Sequence, residues 1–146
     1  MWQEFSDLWL YQAHQLIEQN KLIEYTQFSN NLYGTGIDAV HNVTKQGKVC
    51  ILDIELEGVK AVKKTDLDVR FLFVKPPSLE ILERRLRDRG TESEEAIQSR
   101  LEAAKKELAY ADEKGSHDLI VVNDDLDVAY EQFRNFIVDG TIPDIK

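Results

Sequence analysis

The sequence predicts an α/β fold with a small parallel sheet and flanking helices. Three short, nearly unbroken apolar runs point to it: residues 49–54 (VCILDI), 70–74 (RFLFV) and 119–122 (LIVV). Strands covered on both faces read this way, because neither side meets water. The segments between them carry apolar residues at helical spacing, as the crossovers joining parallel strands require.

Taken in order, a helix over about 6–20 opens the chain. A polar-aromatic segment, NKLIEYTQFSNNLYGT, fills residues 20–35, and a second helix covers about 36–46. Pro76-Pro77 ends the second strand. Ser78 caps a helix with Leu79, Leu82 and Leu86 on one stripe, and Gly90 stops it. Thr91 opens the next helix with Glu94 three residues on, the spacing of a capping box. Ile97, Leu101, Ala104 and Leu108 form its apolar seam. Asp124 or Asp125 caps the last helix, where Ala129, Phe133 and Phe136 face inward. The tail 140–146 contains Pro143 and is expected to be loose. Three strands are few for a sheet buried on both sides, so a further strand is wanted.

A chain of 146 residues, 42% hydrophobic and 31% charged, suits one soluble domain of 1–146. Its net charge of −9 opposes binding to nucleic acid or anionic membrane. Cys50 is the single cysteine, which rules out a disulfide within the chain; a buried, reduced thiol in the cytoplasm is expected. No apolar run approaches membrane-spanning length, and MWQEFSDLWLYQ lacks the basic start of a secretory signal.

Four of the seven arginines, Arg84, Arg85, Arg87 and Arg89, fall within six positions, and Arg100 follows. Guanidiniums grip phosphate oxygens bidentately and stay charged at any working pH. Arg85 and Arg89, four apart, share a helix face. They read either as a phosphate clamp beside a hinge at Gly90 or as a solvated face paired with Glu80, Glu83 and Asp88. Spacing alone favours the solvated face. Asp53 and Glu55 close the first strand on alternate positions, and so point to one side. They are either ligands of a hydrated Mg²⁺ or of a substrate donor, or plain strand-end acids. Glu24 could accept the N1-H and N2-H₂ of a guanine, Tyr33 could reach a phosphate, and Thr35 could add a hydrogen bond. On the residues alone the plainer reading is preferred, with Glu24 a surface acid and Tyr33-Gly34 a turn. Asn123 contacts a base or caps a turn. His14, His41 and His117 stand at no metal-ligand spacing.

Together these blocks resemble guanylate kinase, the ATP:GMP phosphotransferase. LIEYTQFSNNLYGT, CILDIELEGVKAVK, the long RFLFVKPPSLEILERRLRDRGTESEE block and HDLIVVNDDLDVAY carry the resemblance in order. It implies an incomplete P-loop kinase-type parallel sheet, a partial GMP-binding arm at about 16–35 and a helical lid at about 84–105. By resemblance, Glu24 reads guanine with Thr35 nearby, Tyr33 contacts the GMP phosphate, and Asp53 lies near Mg²⁺ through water. Glu55, where the family usually has Asp, faces GMP. Arg85, Arg89 and Arg100 neutralise the transferring phosphoryl group, and Asn123 lies near adenine. ATP with Mg²⁺ is the implied co-substrate.

One departure bears on activity. No glycine-rich phosphate loop ending in Gly-Lys-Ser or Gly-Lys-Thr occurs: Gly47-Lys48 is the sole Gly-Lys pair, and Asn42 stands where the loop's first glycine belongs. The sequence therefore reads as the C-terminal two-thirds of the domain, truncated, with ATP and Mg²⁺ binding and turnover impaired. Loss of the family's central strand would expose a sheet edge and favour self-association. The alternatives are a non-catalytic, protein-binding relative or an unstable fragment.

Overall fold

A computed structural model describes residues 15–19, 21–28 and 31–138. The chain forms two compact units, one ending at Asp68 and the other beginning at Val69.

In the first unit, residues 15–18 form a helical turn, closed when Lys21 N donates to Leu16 O at 2.8 Å. Most of the helix expected over 6–20 and all of the tail 140–146 lie outside the described residues. An antiparallel hairpin follows, β1 (Leu22–Phe28) and β2 (Asn31–Gly36). This is the segment read as polar-aromatic, with no strands assigned to it. Helix α1 (Ile37–Thr44) packs beside β2, and α2 (Leu56–Val62) packs on β1. Ile23, Val40 and Val62 are buried there. Gly58 allows α2 to lie against the preceding segment, since a Cβ would sit 2.9 Å from Ile54 Cβ.

The strand expected at 49–54 is absent as a strand. Apolar content favours an extended, covered segment, but a strand exists only through a ladder. No described residue pairs with 49–54, and Val49 and Ile51 are 60% and 59% exposed. Cys50 is half-buried rather than buried.

In the second unit, β3 (Leu72–Lys75) and β4 (Leu119–Val122) pair in parallel, Leu72 opposite Leu119 and Lys75 opposite Val122. Between them run α3 (Leu79–Arg89) and α4 (Glu94–Ala111), and α5 (Leu126–Val138) follows. Leu119, Val121, Ala129 and Phe136 form one core, with Leu72 and Ile137 against it. Leu86, Ile97 and Leu101, with Leu82, form a second core between α3 and α4. Ser78 Oγ accepts from Ile81 N, and Gly90 ends α3 at φ +64°, as the sequence indicates. Asp125 caps α5 by accepting from Val128 N. The capping box at Thr91 does not form. Ser93 caps α4 instead, accepting from Ala96 N, and Glu94 is engaged by Arg87.

Candidate functional site

The hairpin builds the first cluster. Glu24 lies opposite Thr35, and Thr35 Oγ1 donates to Glu24 Oε1 at 2.6 Å. Tyr33, two residues from Thr35, shares its strand face. Glu24 is only 8% exposed, so the reading of it as a surface acid is corrected. A buried carboxylate is costly unless donors surround it. Here the described partner is one hydroxyl, which leaves acceptor capacity for a ligand. Gly34 makes the close pairing possible, since a Cβ on it would lie 2.7 Å from Glu24 O.

Asp53 and Glu55 lie in the same unit, both exposed. Glu55 occupies the N-cap of α2 without a side-chain cap bond. Among the described residues no three His, Cys, Asp or Glu side chains gather into a metal-binding group. These two carboxylates do not make a metal site by themselves. They suit Mg²⁺ that arrives with nucleotide phosphates and keeps most of its water.

The second unit positions the arginines, each differently. Arg85 Nη1 donates to the Asn123 carbonyl at 2.7 Å, bringing two of the candidate residues together at the end of β4. A carbonyl leaves the guanidinium charge uncancelled. Arg89 is exposed at the end of α3, with no partner among the described residues. Arg100 lies on α4 with Nε 2.6 Å from Glu92 Oε2. Arg87 takes a structural part: its fork meets Glu94 at 2.6 and 2.8 Å and Glu83 at 2.8 and 2.9 Å. Its bonds to Glu94 and then Glu83 raise its pKa further, and Arg87 first, then Gln98, holds the Glu94 carboxyl down at about 2. Of the acids expected beside the cluster, Glu83 takes this part. The clamp crosses Gly90, so the corner that the phosphate-clamp alternative read as a hinge is tied across.

His41 is exposed on α1, and His117 lies against Phe73 and Tyr110 with ring centroids 5.1 and 5.7 Å away. His14 lies outside the described residues. No helix among the described residues is long and apolar enough to cross a membrane. Glu92 was not singled out from the sequence. Its one legible signal is an acid in the short connection ahead of the helix that carries Arg100.

The guanylate kinase family model matches residues 11–139. The chain belongs to the guanylate kinase family. It is 49% identical over 114 residues to guanylate kinase of Sus scrofa, covering 78% of this chain and 58% of that protein. It is 46% identical over 119 residues to the enzyme of Schizosaccharomyces pombe, covering 82% of this chain and 59% of that one. The crystal structure of guanylate kinase from Anaplasma phagocytophilum superposes with a TM-score of 0.65 at 21% identity, over 92% of this chain and 63% of that one. This likeness bears on the α/β fold alone. The chain thus spans 58–59% of the length of these two curated guanylate kinases.

Proposed function

We propose that this guanylate kinase family chain carries the GMP-accepting hairpin and the arginine-bearing helices of an ATP:GMP phosphotransferase of purine nucleotide metabolism. The observation that carries the reading is the buried Glu24 carboxylate, fixed by Thr35 and facing the same way as Tyr33. A carboxylate fixed at one oxygen suits the paired N1-H and N2-H₂ donors of guanine, and rejects adenine, whose exocyclic group and ring nitrogen present a different pattern. Tyr33 would donate to the GMP phosphate, with Glu55 on the GMP side.

In the reaction a GMP phosphate oxygen attacks the γ-phosphorus of ATP. The bond to the β,γ-bridging oxygen breaks, and GDP and ADP form. Mg²⁺ bound with ATP would supply charge neutralisation, and Asp53 would help hold it through water. Arg85, Arg89 and Arg100 would stabilise charge on the equatorial oxygens, since this transfer depends on positioning and electrostatics. Asn123 would lie near adenine. We place the chain in the cytoplasm as one domain, with its arm at about 16–35 and lid at about 84–105.

Taken alone, these 146 residues contain no glycine-rich phosphate loop. Losing one such element lowers the rate about 100- to 1,000-fold, and losing its amides and lysine together lowers it further. A coupled ADP-release assay with GMP and ATP is expected to show negligible turnover. A rate of about 1–100 per second would overturn the inactivity.

A further inference from the structure

We propose that Glu92 is a positioning residue for Arg100, holding its guanidinium by an ion pair at Nε so that the two terminal nitrogens are presented to nucleotide phosphate oxygens. This rests on the phosphotransferase reading and names a residue that the reading does not include. Glu92 lies in the short connection between Gly90 and Ser93. Its side chain is 15% exposed, whereas that of Arg100 is 62% exposed. The acid is therefore the fixed partner and the base the presented one. Nε of Arg100 stands 2.6 Å from Glu92 Oε2. That oxygen is buried and has no aligned hydrogen-bond donor among the described residues, so its contact with Arg100 is ionic and oblique. An arginine approached at Nε keeps its two terminal nitrogens for a second, bidentate anion.

The frame around Glu92 is tied down on both sides. Gly90 closes α3 in the left-handed region, Ser93 caps α4, and Arg87 bridges the two helices through Glu83 and Glu94. Leu86, Ile97 and Leu101 pack together between α3 and α4. A rotamer-rich side chain pre-ordered in this way saves ordering entropy on binding, equivalent to about 2- to 12-fold in affinity. The opposing possibility is that Glu92 competes with phosphate for Arg100, in which case its removal would tighten binding.

Two readouts separate these. In ¹⁵N-labelled chain, the Arg100 Nε–Hε resonance, assigned by its loss in Arg100→Lys, is expected to stand apart from those of arginines without a carboxylate partner, and to rejoin them in Glu92→Gln. Titration with ATP, followed in the same spectra, is expected to show Glu92→Gln binding about 2- to 12-fold more weakly. The double variant with Arg100→Ala should bind no more weakly than Arg100→Ala alone. Thermal melts of Glu92→Gln check that the fold persists. An Arg100 resonance indifferent to Glu92→Gln overturns the proposal, as does ATP binding that is equal or tighter in Glu92→Gln. ATP binding indifferent to Arg100→Ala overturns the phosphate role of Arg100, and this proposal with it, while the resonance still reports the contact between the two side chains.

Discussion

Two carboxylates show how environment assigns different work to the same group. Glu24 is buried with one hydroxyl donor, whereas Glu94 is exposed and doubly bonded by a guanidinium. Removing the hydroxyl by Thr35→Val leaves the buried carboxylate short of a donor and is expected to destabilise the chain by about 1–3 kcal/mol, measured by urea unfolding. Glu94 behaves as a salt-bridged acid. Its carboxyl falls from 4.5 to about 2 in the folded chain, so the folded state binds fewer protons across that interval. The contribution is therefore complete above about pH 4.5 and lost as pH falls toward about 2. The difference in melting temperature between the parent and Glu94→Gln is expected at pH 7 and should shrink across that window. A difference that persists unchanged at the acid end would remove the ionic account of this corner. Glu94 is fully exposed, so salt should also reduce the difference.

At the scale of elements, what was legible in the sequence was local. Ser78 and Gly90 bound α3 because a cap acts within four residues, and Asp125 likewise caps α5. The seam of α4 follows from helical period, and Ile97 and Leu101 are buried as that period requires. What was missed depends on partners distant in sequence. Residues 49–54 have a strand's composition and no ladder. The hairpin was hidden because Glu24, Gln27 and Asn31 interrupt its apolar pattern, while its register rests on pairing across the turn. The contact of Arg85 with Asn123 spans 38 residues, beyond any helical spacing rule. Gly34→Ala tests the hairpin as a unit: a methyl 2.7 Å from Glu24 O must push the strands apart. GMP binding is then expected to fall with only partial loss of stability, read by calorimetry and thermal melts together. Arg70 secures α5 from outside the helix. It donates to Phe136 O and Ile137 O at 2.7 and 3.1 Å, with its guanidinium 4.9 Å from the Phe136 ring. Arg70→Ala is expected to lower stability by about 1–3 kcal/mol, through lost charge-assisted bonds at a helix C-terminus.

For the whole molecule, the proposed function turns on which half of a two-substrate site the chain would carry. In the proposed reading Glu24, Tyr33 and Thr35 meet GMP from one locally stabilised hairpin, with Glu55 at the N-cap of α2, whereas no glycine-rich loop is present in these 146 residues to cradle ATP phosphates. Binding and turnover should therefore come apart: GMP raises the melting temperature by mass action, while ADP release stays negligible. Strand β3 has one ladder partner among the described residues, and Val74 and Val122 are exposed, so light scattering is expected to show self-association that increases with concentration. The most direct test is calorimetric titration of GMP and AMP into the parent chain and Glu24→Gln, with melts confirming the fold. The account predicts that GMP binds the parent at least about tenfold more tightly than AMP, and that Glu24→Gln abolishes this preference, because an amide places a donor against guanine's donors. Equal binding of GMP and AMP by the parent, or an undiminished preference in Glu24→Gln, would contradict it.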